Sequence, residues 1–200
     1  MTDDDLPLFT HDRTQKVKLR MGESGQSAIP PETIFDAFNR TIEKYGDCHA
    51  LHQKILKKGM TAEETEWTHW SWNDYKTQVY AFGKSLLSIG FEPFDAVNII
   101  GFNSPEWFFS NIGTIAAGGV ASGIYATNLP DACKYISNHS KAKVAVVDGL
   151  VQLEKYIQIA AELPSLKALV MYGTDEVPTD IKERCPSVNV YSFRDFLKIG

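Results

Sequence analysis

From Ala96 onward, short apolar runs alternate with amphipathic stretches, and that rhythm narrows the folds open to this 200-residue chain more than any other feature. Ala96 to Gly101 carries Val97, Ile99 and Ile100 and reads as a buried strand. Ser104-Pro105-Glu106 starts a helix to about Ala117, because serine caps and proline pre-sets a first turn. Val120 to Tyr125 predicts a strand, Pro130 to Asn138 a helix, Lys143 to Asp148 a strand, Leu150 to Glu162 a helix and Ala168 to Tyr172 a strand. Val188 to Tyr191 adds one more strand and Phe193 to Lys198 a closing helical turn. Strands alternating with helices in this way predict βαβ units, hence an α/β fold with a mostly parallel, doubly wound sheet and flanking helices.

The preceding stretch is organised differently. Residues 1–30 read as an irregular N-terminal arm, within which Val17 to Met21 alternates like a short edge strand and Gly22 to Ser27 forms a loop. Pro30-Pro31 opens a helix whose apolar face is Ile34, Phe35, Phe38, Ile42 and Tyr45, with Gly46 as its stop. Ala50 to Gln53 and Glu66 to Ser71 form a short antiparallel strand pair around a polar loop, Lys57 to Glu64. Ser71 and Asp74 have the spacing of a capping box, and Tyr75, Val79, Phe82, Leu86 and Ile89 then make one helical stripe that Gly90 closes. Residues 31–200 are thus expected to form one unit.

Composition excludes several classes of function. The net charge is −5, and the basic groups Lys16, Lys18, Arg20 and Lys54, Lys57, Lys58 are separate and small, so nucleic acid is not an expected partner. Cys48, Cys133 and Cys185 fit no zinc spacing and suit reduced thiols. No apolar run reaches the ~18–20 residues that cross a bilayer, and the acidic start Met1-Thr-Asp-Asp-Asp5 is unlike a signal peptide. A cytoplasmic protein, with peripheral membrane contact compatible, is the expectation.

The search for chemistry yields little. Asn103-Ser104-Pro105-Glu106-Trp107 sits at a strand's carboxyl end, where α/β sheets bind ligands, yet capping and the helix dipole account for its polar residues. Gly118-Gly119 and Gly123 form no G-x-G-x-x-G, and Gly22-Glu-Ser-Gly25 has neither a preceding strand nor a following lysine, so neither is a phosphate loop. His49 and His52, three apart on a strand, are expected on opposite faces and unable to share a metal. His11, His69 and His139 lack a partner at a telling distance, and Cys133 with His139 has no thiol-nucleophile signature. Ser104 is not in G-x-S-x-G, and Asp3 to Asp5 and Glu63-Glu64 fall in loops. No catalytic, cofactor-binding or metal-ligating residue is assigned.

The run GFNSPEWFFSNIGTIAAGGVASGIYATN, Gly101 to Asn128, resembles the adenylate-forming enzymes, within them the long-chain fatty acyl-CoA synthetases, and most closely the bubblegum type. Val17 to Met21, Glu43 to Asp47, Trp70-Ser-Trp72, Asp131 to Ile136, Gln152 to Lys155, Leu163 to Ala168 and Asp195 to Gly200 fall in the family's order. The resemblance implies the first portion of an AMP-binding catalytic domain, from a ligase that uses ATP, Mg²⁺ and CoA to activate a fatty acid through an acyl-adenylate. It also implies that the Ser/Thr/Gly-rich phosphate loop ending in Pro-Lys-Gly, the adenine and ribose segments and a small C-terminal domain with its catalytic lysine lie outside these residues. Tyr172-Gly-Thr-Asp-Glu176 is similar to the family's adenylate segment, but Asp175 replaces a hydroxyl residue and its place along the chain is wrong, so it reads as a loop after a strand. The 200 residues alone are therefore expected to be inactive and to bind none of these cofactors. The competing readings are a non-catalytic module binding acyl-CoA or a protein partner, and an unrelated nucleotide-binding α/β domain, which the missing glycine fingerprint disfavours.

Overall fold

The structure is a computed structural model that describes residues 5–12, 14–54, 66–174 and 176–200. The expected loop Lys57 to Glu64, most of the acidic start and Asp175 lie outside the described residues. Two compact units divide the chain, Met1–Ala37 and Phe38–Gly200.

In the first unit a 3-10 turn, Gly25–Ala28, is bracketed by a bond from the Gly22 N–H to the Ser27 carbonyl at 2.8 Å. Val17 to Met21 is not a strand. The Lys18 N–H bonds the Pro7 carbonyl at 2.8 Å, and an alternating run without a neighbouring strand has no ladder to join. Helix α1, Ile34–Tyr45, starts later than the Pro30-Pro31 pair suggests. Thr33 supplies the cap instead: its Oγ1 accepts the Asp36 N–H at 3.0 Å and donates to Asp36 Oδ2 at 2.6 Å.

The second unit starts at Phe38, and its first strands are an antiparallel pair, β1 (His49–Lys54) and β2 (Trp67–Ser71). Helix α2, Trp72–Ser88, follows at once behind the expected capping box: Ser71 Oγ accepts the Asp74 N–H at 3.1 Å and Asp74 Oδ2 accepts the Ser71 N–H at 2.9 Å. Gly90, at φ +75°, ends it in a Schellman pattern, with the Phe91 N–H on the Leu86 carbonyl and the Gly90 N–H on Leu87.

Five parallel strands then form one sheet in the order β4-β3-β5-β6-β7. They are β3 (Ala96–Ile100), β4 (Val120–Ile124), β5 (Val144–Asp148), β6 (Ala168–Tyr172) and β7 (Asn189–Ser192). The connecting helices are α3 (Pro105–Ala116), α4 (Pro130–Ser140), α5 (Gly149–Ile159), α6 (Ile181–Arg184) and, after β7, α7 (Phe193–Leu197). The predicted α/β class and its parallel sheet are therefore present. Two details differ: α5 tightens into a 3-10 turn at Ala160–Glu162, and the four-residue α6 has too little length to show a period.

Both faces of the sheet are covered, which explains why β3, β5 and β6 read as continuous apolar runs. On one face α4 and α5 enclose Ile100, Ala145, Val147, Leu153, Tyr156 and Met171. On the other, α2, α3 and α7 bring together aromatic rings, Phe82 lying 5.8 Å from Phe193 and 5.4 Å from Phe196. Helices α2 and α3 cross closely at Gly113, where a Cβ would stand 2.9 Å from the Val79 carbonyl oxygen.

Candidate functional site

The strand order places a crevice at a definite point. The chain leaves β3 through α3 to β4 on one side, then returns through α4 to β5 on the other side of β3. The connections diverge there, and open α/β sheets bind ligands outside the carboxyl ends of such strands.

Residues following β3 line this crevice. Gly101 is required by close approach, since a Cβ there would overlap the Tyr172 hydroxyl and Asp148 Cβ. The Phe102 N–H donates to Asp148 Oδ2 at 3.3 Å, and the Tyr172 hydroxyl donates to the Phe102 carbonyl at 3.4 Å. Thus the ends of β5 and β6 fix the turn that leaves β3. Burial pushes the Tyr172 phenol up, against a hydrogen bond with Ser104, and the Asp148 and Glu106 carboxylates push it further. It is a neutral hydrogen-bond donor at physiological pH.

Two adjoining hollows share Phe102 and Asn103. The larger, about 680 Å³, is walled by Gly101, Trp107, Gly123, Ile124, Tyr125 and Ala126. Phe102 is 73% and Tyr125 82% exposed, so its rim is aromatic and accessible. The smaller, about 500 Å³, is polar, with Lys54, Ser104, Glu106, Asp148, Tyr172 and Thr174. One helical turn holds the far wall of the larger hollow. From α5, Lys155 Nζ donates to the Ala126 and Asn128 carbonyls, each at 2.7 Å, and Gln152 Nε2 to Ala126 at 3.3 Å.

The Asn103 to Trp107 motif lies where the sequence suggests and has both parts of its expected character. Ser104 caps α3, its Oγ accepting the Trp107 N–H at 3.1 Å, with Pro105 in the first turn. Asn103, Ser104 and Glu106 also border the polar hollow, and Trp107 the apolar one. Tyr172 opens the Tyr172 to Glu176 run that reads from sequence as a loop after a strand, and its first residues border the polar hollow, while Asp148 and Lys155 carry no site role in the sequence reading. The only local signal for Asp148 and Lys155 is a position at the end of a strand or on the helix after it. Of Gly118, Gly119 and Gly123, only Gly119 is a packing device, since a Cβ there would stand 2.8 Å from the Asp95 carbonyl oxygen; Gly118 is set by its φ of +81°, and a Cβ at Gly123 would meet Trp107 at an ordinary 3.7 Å. Cys48, Cys133 and Cys185 are free, the last two buried.

One expectation is overturned. The rings of His49 and His52 are 5.0 Å apart, not on opposite faces, because the β1–β2 register shifts between His49 and Leu51. The extra residue restores His49 to the face of His52. As the rings stand, no three His, Cys, Asp or Glu side chains among the described residues surround a common metal position. The site offers hydrogen bonds, an apolar wall and two carboxylates; it can hold and orient a ligand.

Comparison with known proteins places this geometry. A family model described as AMP-binding enzyme matches residues 38–191. Among curated relatives, the long-chain-fatty-acid–CoA ligase ACSBG2 of Xenopus laevis is 37% identical over 196 residues, covering 98% of this chain and 24% of the relative. The long-chain-fatty-acid–CoA ligase ACSBG1 of Homo sapiens is 37% identical over 195 residues, 96% of this chain and 24% of its own length. The chain thus spans about a quarter of these bubblegum-type relatives. Among solved structures, the adenylation domain of a carboxylate reductase from Mycobacterium chelonae superposes with a TM-score of 0.72 at 18% identity, over 84% of this chain and 29% of that one. The anthranilate CoA ligase AuaEII in complex with anthranoyl-AMP gives 0.65 at 20% identity, over 99% and 29%. At these identities the two structures establish the fold alone.

Proposed function

The chain belongs to the AMP-binding enzyme family, and on that premise we propose that it is the amino-terminal part of a long-chain fatty acid–CoA ligase. The observation that supports this reading best is the similarity to such a ligase over 98% of these residues. In the proposed reaction a fatty carboxylate oxygen attacks the α-phosphorus of ATP and pyrophosphate leaves. The CoA thiolate then attacks the acyl carbonyl and AMP leaves. The charge on the phosphates has to be neutralised and the adenylate shielded from water.

These residues supply a scaffold for that work. The sheet and its crevice provide a rigid platform at the strand ends. Tyr172 and Asp148 hold the turn after β3, while Lys155 and Gln152 hold the loop after β4. The sequence contains no Ser/Thr/Gly-rich run ending in Pro-Lys-Gly, so polyphosphate binding is assigned to a segment not among these 200 residues. Mg²⁺, which binds chiefly through substrate phosphates and one or two carboxylates, belongs with that segment. An address on the cytoplasmic side, with contact at the endoplasmic reticulum surface, completes the proposal. No helix among the described residues is long and apolar enough to cross a membrane.

Incubation of the purified 200-residue chain with palmitate, ATP and CoA tests the assignment. The expected outcome is no acyl-CoA and no pyrophosphate. Robust ATP-dependent pyrophosphate release by this chain would overturn it. The coding sequence beyond Gly200 gives the complementary check: a frame running into a Thr/Ser/Gly-rich, Pro-Lys-Gly-containing stretch supports the ligase, and a stop codon supports a binding module.

A further inference from the structure

The N-terminal unit carries a segment for which the acyl-transfer chemistry has no use. Its chain doubles back on itself: the Lys18 N–H donates to the Pro7 carbonyl at 2.8 Å. A polar turn makes the reversal, with Asp12 Oδ1 accepting the Thr14 N–H at 2.9 Å and the Asp12 carbonyl accepting the Gln15 N–H at 3.2 Å. Large apolar side chains stand in solvent on both limbs, Leu8 and Phe9 on the first, Val17, Leu19 and Met21 on the second. Phe9 is 85% and Leu19 64% exposed. Large apolar surface concentrated in so short a stretch marks a place of contact.

Charge identifies the partner. From Arg13 to Met21 the sequence holds four cations, Arg13, Lys16, Lys18 and Arg20, and no carboxylate, in a chain whose net charge is −5. Lys16 and Arg20 are exposed. From Lys16 to Met21 cation and apolar residue alternate one for one. Laid extended on a plane, such a run sends its apolar side chains to one side and its cations to the other. We propose that this doubled arm, Leu8 to Met21, docks on the surface of an anionic phospholipid bilayer. Phe9, Leu19 and Met21 enter the boundary between headgroups and acyl chains, while the flexible stems of Lys16 and Arg20 bend to the phosphates beside them. A nucleic acid would engage the cations and leave Phe9 and Leu19 in water.

Binding at such an interface grows with the apolar area buried and with the attraction of cations to anionic lipid. Each Lys or Arg near the surface adds about five-fold to partitioning, and the attraction fades within a Debye length. Asp12 is the one carboxylate from Leu6 to Gly22, and it lies in the turn between the limbs. The contact belongs to the surface association proposed above and rests on that reading only for its cellular setting. Vesicle binding needs neither ATP nor a fatty acid, so its absence leaves the ligase assignment standing.

Co-sedimentation of the untagged 200-residue chain with vesicles is the test. Vesicles of phosphatidylcholine containing roughly one-third phosphatidylserine are expected to bind it, and pure phosphatidylcholine vesicles to bind it at least ten-fold more weakly. Binding is expected to be lost in about 0.5 M salt. The double variant Lys16→Glu/Arg20→Glu and the double variant Phe9→Ser/Leu19→Ser are each expected to bind the anionic vesicles at least ten-fold more weakly than the parent. Lys76→Glu/Lys182→Glu, the same change of charge at exposed positions on α2 and α6, is expected to bind within about three-fold of the parent, because it leaves the arm's field intact. Melting curves of all three variants matching the parent's exclude misfolding as the cause. Absence of binding to the anionic vesicles overturns the proposal. So does equal binding to both kinds of vesicle, or parent-level binding by either arm variant.

Discussion

Alanine in place of Gly101 sets a methyl group against the Tyr172 hydroxyl and Asp148 Cβ. The tyrosine tip has some freedom to yield, but Asp148 Cβ is fixed by the β5 backbone. The substitution is expected to cost about 1–3 kcal/mol, as overpacking does, read as a lower urea midpoint with an unchanged slope. A buried polar pair gives a sharper contrast. The Ser137 and Tyr156 hydroxyls lie 3.1 Å apart inside the face covered by α4 and α5. Ser137→Ala strands the phenol and is expected to lose about 1–3 kcal/mol. Adding Tyr156→Phe should recover most of that loss, and denaturation of the single and double variants checks it. At this scale, legibility in the sequence followed locality. The Ser104 cap and the Ser71–Asp74 pair depend on residues three apart and were readable. Asp148 and Tyr172 meet Phe102 only through sheet order, which no short window contains. The histidine faces were misread because one inserted residue inverts the alternation beyond it.

Helices α2 and α3 meet where Gly113 leaves no room for a side chain, against Phe82 Cδ1 and the Val79 carbonyl oxygen, both 2.9 Å from a notional Cβ. Gly113→Ala is expected to part the two helices and lower the melting temperature, outweighing the ~1 kcal/mol that alanine otherwise adds within a helix. The start of α2 has its own pH signature. Hydrogen bonds from the Ser71 hydroxyl and then its N–H hold the Asp74 carboxyl below the ordinary range. A depressed folded-state value adds stability that is present above about pH 4 and is lost as pH falls through the folded value. Asp74→Asn should therefore flatten the acid limb of the stability curve below about pH 4, followed by circular dichroism. Elements with a sustained period were legible: the stripe Tyr75, Val79, Phe82, Leu86 marks α2, and the apolar runs mark β3, β5 and β6. The misses have physical causes. Val17 to Met21 has strand alternation but no strand beside it among the described residues, the Thr33 cap delays α1, and α6 is one turn long.

At the level of the whole molecule, β4 is an edge strand with Val120 48% exposed, and no further strand among the described residues pairs with its outer side. Unpaired edges recruit other chains. The isolated chain is expected to associate at micromolar to millimolar concentration, and Val120→Lys to reduce that association in light scattering. A monodisperse parent over this range would contradict the expectation. The βαβ alternation announced the sheet and its class. It did not announce that β3 lies between β4 and β5, because only the helices' choice of face decides that. This order has a consequence in time. Both neighbours of β3 follow it along the chain, so a nascent polypeptide has β3 before it has anything to pair it with. At synthesis rates of about 5–20 residues per second, β4 arrives roughly 1–5 s later and β5 about 2–10 s later. The pair β3–β4, laid down with α3 between, is the earliest parallel ladder available to the growing chain. Until β5 emerges, the flank that later becomes the crevice wall is an open seam, the interval in which a nascent-chain chaperone has most to protect.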